Sequence, residues 1–198
     1  MQPIANDRER EVSVRYGLPA RYVLQVGTIE RRKNLGLTVK ALGSLPEDLH
    51  LVAIGRETEY ADRVRHIARQ TGVADRVHFL HDIPFVDLPH IYRRAEAIAY
   101  PSRYEGFGIP VIEGLASRRP VIAATGSCLE EAGGDAAIYV APDDPRGMAE
   151  ALRSVTDGSC DTTGMISRGL KHIERFRNSD IASHVHYIYE KTLAGRRR

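Results

Sequence analysis

Six short apolar runs place the strongest limit on what this chain can fold into: Tyr22–Val26, His50–Ile54, Val77–Leu80, Ala97–Tyr100, Val121–Ala124 and Ala137–Val140. Each is four or five residues long and offers apolar residues to both faces. A strand covered on one side alternates apolar with polar, whereas one apolar on both sides belongs in a parallel sheet wrapped by helices. The intervals carry amphipathic stretches at about 35–45, 59–71, 86–94, 110–117, 127–132 and 145–156. They are long enough for right-handed crossovers between parallel neighbours. The expected fold is therefore α/β, an open, doubly wound, Rossmann-like parallel sheet of about six strands.

The ends depart from this rhythm. Residues 6–16 read as a helix closed by Gly17 with Pro19 beyond, a linker or incoming segment before the first strand. Residues 163–193 hold no strand and read as two helices, with Asn178-Ser179-Asp180 as the cap between them. Ile181, Val185, Ile188 and Tyr189 form one stripe on the second helix and require a packing partner. The expected division is a linker at 1–21, a nucleotide-binding unit at 22–160, and helices of the same domain at 161–198.

Composition removes several function classes. With 42% hydrophobic and 27% charged residues, the chain has the makeup of an ordered globular protein. A net charge of +2 is too small for an electrostatic footprint on nucleic acid. Cys128 and Cys160 cannot form a disulfide framework, no secretory pattern opens the chain, and the expected location is cytoplasmic. His78, His81 and His90 fit no zinc spacing, so surface or packing roles are expected of them.

Two segments carry chemistry. The first strand runs into Gly27-Thr28-Ile29-Glu30-Arg31-Arg32-Lys33-Asn34 and then directly into a helix. In a doubly wound sheet, ligands bind where strands end and helix N-termini point. Gly27 permits a sharp turn, and Arg32 and Lys33 stand where a phosphate would lie; a solvated basic turn reads equally well from this segment alone. It is neither a dinucleotide fingerprint nor a P-loop, because the further glycines are missing.

The second segment follows the fourth strand: Pro101-Ser102-Arg103-Tyr104-Glu105-Gly106-Phe107-Gly108-Ile109-Pro110-Val111-Ile112-Glu113-Gly114. Gly106 and Gly108 free the backbone to approach a ligand closely. Pro110 suits a helix start and puts Glu113 in the first turn, so Glu105 and Glu113 are expected to face one pocket. Each carboxylate can accept two hydroxyl hydrogen bonds from a vicinal diol. Phe107 packs either on a sugar or into the core.

Glu105 and Glu113, with seven residues between them around Gly-Phe-Gly-Ile-Pro, resemble the E-x7-E motif of retaining GT-B glycosyltransferases of family 4, the glycosyl transferases group 1. The 27–34 loop is similar to that family's basic loop, and Tyr16-Gly17-Leu18-Pro19, Tyr100-Pro101-Ser102 and Gly134-Asp135-Ala136 match in order and spacing. The likeness spans nearly the whole chain but only the family's C-terminal, donor-binding domain.

The resemblance implies a nucleotide-diphosphate sugar as donor substrate, no metal, and hexosyl transfer, mannosyl or glucosyl, to a glycan or lipid acceptor. It places Lys33 and Arg32 at the donor diphosphate, Glu105 near the donor sugar and leaving group, and Glu113 at the ribose hydroxyls. Gly27 and Thr28, the backbone of Gly106, Phe107 and Gly108, and Asp82-Ile83 near the base complete the expected donor site. Many members carry arginine where this chain has Thr28, so Arg31 or Arg32 substitutes or one contact is lost. The acceptor, and any peripheral membrane association, would belong to an N-terminal domain that nothing here resembles, so little turnover is expected of this chain alone. The alternative is a non-catalytic nucleotide-sugar-binding module. A hydrolase using the two carboxylates would need one raised pKa, which the neighbouring Lys33 opposes.

Overall fold

The computed structural model describes residues 7–176, 183, 185–189 and 191. Strands β1 (Tyr22–Val26), β2 (His50–Ile54), β3 (Val77–Leu80), β4 (Ala97–Tyr100), β5 (Val121–Ala124) and β6 (Ala137–Val140) coincide with the six apolar runs. They form one parallel sheet in the order β3-β2-β1-β4-β5-β6. The reversal of winding lies between β1 and β4, the doubly wound arrangement.

The helices are α1 (Asp7–Arg15), α2 (Leu35–Leu42), α3 (Tyr60–Gln70), α4 (Leu88–Arg94), α5 (Ile109–Ala116), α6 (Leu129–Gly133), α7 (Pro145–Thr156) and α8 (Thr162–Ile173). One face of the sheet packs on α2, α3 and α7 through Val23, Leu51 and Ile122. The other packs on α1, α4, α5 and α6 through Leu24, Val52 and Ile98, and α8 lies outside against α5. Strand residues of alternating parity thus feed two separate cores, which is why the runs carry apolar residues on both faces.

One expectation changes: α5 begins at Ile109, one residue before Pro110, so Glu113 stands in the second turn rather than the first. The leading helix α1 is tied to Asp87, just before α4. Arg8 and Arg15 of α1 and the Tyr16 hydroxyl all donate to the buried Asp87 carboxylate, at 2.7, 2.8 and 2.8 Å. Residues 185–189 are helical, with Val185, Ile188 and Tyr189 44%, 48% and 65% exposed. Ile181 and the cap at Asn178-Ser179-Asp180 lie outside the described residues.

Candidate functional site

The site lies at the carboxyl edge of the sheet, around the β1/β4 switch point. After β1 the chain turns toward α2 on one face, and after β4 toward α5 on the other, so the two loops part and leave a crevice.

One wall is a pair of loops joined backbone to backbone. Gly27 N–H donates to Ile54 O at 2.8 Å, Ile29 N–H to Arg56 O at 2.9 Å, and Thr58 Oγ1 to Ile29 O at 2.6 Å. Gly55 makes this approach possible. Its φ is +155°, and a Cβ there would sit 2.2 Å from Gly27 O. Between these joined loops and the one after β3 opens a cleft of about 730 Å³ lined by Gly27, Thr28, Arg56, His81, Asp82 and Ile83. Four of these, Gly27, Thr28, Asp82 and Ile83, were expected from the sequence. Asp82 sits at φ 51°, a left-handed conformation that aspartate tolerates better than most residues.

The basic turn is held from beneath by polar residues that sequence reasoning missed. Gln25, buried in the central strand, donates through Nε2 to Lys33 O at 2.8 Å and accepts from Thr38 Oγ1 at 2.8 Å. Asn34, at φ 58°, donates through Nδ2 to Pro101 O at 3.1 Å and to Pro142 O at 2.8 Å, joining three loops. A polar residue inside an apolar run was the available signal for Gln25, since it must find partners when buried.

Thus fixed, Lys33 extends across the face of Gly27, where a glycine Cβ position would lie 3.6 Å from its Nζ. It ends 2.7 Å from Glu105 Oε1 and donates to the Tyr100 hydroxyl. Arg32 reaches the same oxygen at 2.8 Å and Glu30 at 2.8 Å. Tyr100, buried at the end of β4, donates to Glu105 Oε1 at 3.1 Å. Burial works against the charge on Glu105, but the hydrogen bond and charge of Lys33, with the hydrogen bond of Arg32, prevail and hold its carboxyl below the usual range. Burial, then the Glu105 charge, pushes the Tyr100 hydroxyl well above its ordinary value, so it stays neutral. Glu105 beside Lys33 thus lacks the raised pKa that a hydrolytic acid requires.

Other expected residues are placed differently. Glu113 does not join the Glu105 cluster: its Oε2 accepts from the buried Tyr92 hydroxyl of α4 at 2.7 Å. No described contact links the two glutamates. Gly108, at φ 97°, is required for packing, since a Cβ would meet Leu129 at 2.7 Å. Gly106 has open space around it. Phe107 is 46% exposed and stacks edge-on against Phe176 at 5.4 Å, so it is not core. Of the two candidates to offset Thr28, Arg32 reaches Glu105 with its guanidinium; Arg31 lines, together with Arg32, Lys40 and Arg63, a groove of about 560 Å³.

The arrangement can hold a doubly charged anion at Lys33 and Arg32 and an adjoining planar or ring-shaped group in the cleft. No group of three or more metal-ligating side chains occurs among the described residues, and no described helix is long and apolar enough to cross a membrane.

Residues 8–171 match the family described as glycosyl transferases group 1. The chain is 34% identical over 134 residues to the O-antigen chain mannosyltransferase RfbU of Salmonella typhimurium, covering 68% of this chain and 38% of that protein. Its fold matches that of Anabaena HepE, solved with UDP and glucose, at a TM-score of 0.83 and 18% identity, over 93% of this chain and 52% of that one. It also matches the C-terminal domain of the group 1 family glycosyl transferase LpcC of Francisella tularensis, at a TM-score of 0.71 and 20% identity, over 86% of this chain and 92% of that domain. The chain thus spans about half the length of the full-length relatives it matches.

Proposed function

The chain belongs to the glycosyl transferases group 1, and on that premise we propose that it is the C-terminal, donor-binding domain of a retaining GT-B transferase of family 4. The donor is a nucleotide-diphosphate hexose, and the acceptor is supplied by a second, N-terminal domain without which turnover is slight. The observation that carries this reading is the Lys33–Arg32–Glu105 cluster at the winding reversal of the sheet, beside an open cleft over the ends of β1, β2 and β3.

The cleft takes the nucleoside, with Asp82 and Ile83 toward the base and Glu113 toward the ribose. The diphosphate lies over Gly27, against Lys33 and Arg32. As the glycosidic bond to the phosphate lengthens, negative charge gathers on the leaving diphosphate. Two positioned cations stabilise that charge more than they stabilise the bound donor, which lowers the barrier. They also supply the charge that a divalent metal supplies in other transferases, so the reaction proceeds without one. The loop at Gly106, Phe107 and Gly108 borders the donor sugar, with Glu105 beside it.

Titration calorimetry with UDP, GDP and ADP, each beside its nucleoside, tests this reading and identifies the base. Lys33→Ala weakens nucleoside diphosphate binding at least tenfold more than nucleoside binding. Equal losses for both would remove the diphosphate from this position.

A further inference from the structure

Lys33 and Arg32 do not stand open toward the crevice. Both end on one oxygen, Glu105 Oε1, at 2.7 and 2.8 Å, and the Tyr100 hydroxyl donates to the same oxygen at 3.1 Å. An oxygen that gathers two cations and a hydroxyl donor has the surroundings of a phosphate oxygen. The Glu105 and Lys33 side chains are only 9% and 12% exposed, so water screens their attraction weakly. The same cations cannot serve this carboxylate and an incoming diphosphate at full strength together.

Their supports differ. Lys33 is fixed through its carbonyl by Gln25 and lies along Gly27. Glu105 sits on a loop whose next residue, Gly106, would bear a Cβ with nothing within 4 Å of it, so the backbone beside the carboxylate is uncrowded on that side. Tyr100 is buried and rigid at the end of β4, and stays as a hydrogen-bond acceptor for Lys33.

Resting on the donor reading above, we propose that Glu105 is an internal counter-anion, holding the place of the diphosphate between Lys33 and Arg32 until a donor displaces it. Exchange turns the carboxylate out of the ion pair and toward the donor sugar. The cations therefore meet the diphosphate already positioned, and the glutamate is released only when a diphosphate takes its place. Binding affinity is then a difference between two anions for one site. This reverses the sign expected of a residue that merely contacts the ligand, since removing the Glu105 charge strengthens diphosphate binding.

The test is calorimetric titration of inorganic pyrophosphate, and of UDP, GDP and ADP with their nucleosides, into the wild-type chain and Glu105→Gln. Glutamine keeps the size and the acceptor for Tyr100 but not the charge. The expected result is pyrophosphate binding about tenfold tighter in the variant, a change of about 1.4 kcal/mol, with nucleoside binding unchanged. Adding Lys33→Ala to Glu105→Gln abolishes the gain. If the glutamine variant fails to fold, Glu105→Asp carries the same direction, because a side chain one methylene shorter cannot reach both cations. Equal or weaker pyrophosphate binding, while the wild-type chain binds a nucleoside diphosphate better than its nucleoside, overturns the exchange and leaves the donor reading intact. Failure of pyrophosphate and all three diphosphates to bind any form removes the donor reading, and the exchange with it.

Discussion

Gly55 offers the sharpest test of how the cleft is built. Gly55→Ala puts a Cβ 2.2 Å from Gly27 O and 2.6 Å from Gly27 C, backbone atoms that cannot swing aside. The two loops must separate, which breaks the hydrogen bonds from Ile29 N–H, Gly27 N–H and Thr58 Oγ1 across the seam. At about 0.5–1.5 kcal/mol each, their loss costs about 1.5–4.5 kcal/mol. Alanine at φ +155° adds strain of about 1–3 kcal/mol. Local opening relieves part of this, so a net loss of about 3 kcal/mol is expected, a fall in Tm of about 6–12 °C for a chain of this size. Gly72→Ala is the control: φ is +69° and nothing lies within 4 Å, so it carries backbone strain without the collision. Thermal unfolding and nucleoside calorimetry should show a loss for Gly55→Ala well beyond that of Gly72→Ala, with nucleoside binding impaired. Matching Tm values and equal nucleoside affinity would show that the loops are not joined at Gly55, and the cleft would need another explanation.

Two further outcomes follow from the buried polar pairs. The Asp87 carboxyl is held below its ordinary value, first by the Tyr16 hydroxyl and then by Arg8 and Arg15. A depressed carboxyl stabilises the fold above its unfolded pKa, about 3.9, and that stability disappears as pH falls through the lower folded value. Asp87→Asn therefore lowers Tm near neutral pH, and the gap to wild type closes below about pH 4; a gap independent of pH would show that the charge on Asp87 does not fasten α1. Glu113→Ala leaves the buried Tyr92 hydroxyl without its acceptor and costs about 1–3 kcal/mol in urea unfolding. Adding Tyr92→Phe restores the stability but not the preference for ribonucleotide over deoxyribonucleotide, and recovery of that preference would sink the ribose role.

The strand runs were legible because their apolar pattern is local. Every one of the six is bounded as the residues alone indicate, and Pro145–Thr156 is helical from end to end as expected. The basic turn was also placed at the carboxyl edge, since parallel strands bring all their carboxyl ends to one side, and the family resemblance added Asp82-Ile83. The partnership of Lys33 and Arg32 with Glu105 was half legible: the resemblance put all three at the donor, but not as ion-pair partners.

What remained hidden depends on residues far apart in the chain. Nothing near Glu113 announces Tyr92, 21 residues away, and nothing near Asn34 announces Pro142, 108 residues away. Gly55 reads as an ordinary strand-ending glycine until Gly27 is brought against it. The chain by itself determined which segments are strands, that the sheet is parallel, and at which edge its charged loops gather, because periodicity and connection length act over a few residues. Tertiary structure alone decided which polar group meets which. A buried donor or acceptor must find a partner wherever folding has placed one, and sequence separation does not govern that distance.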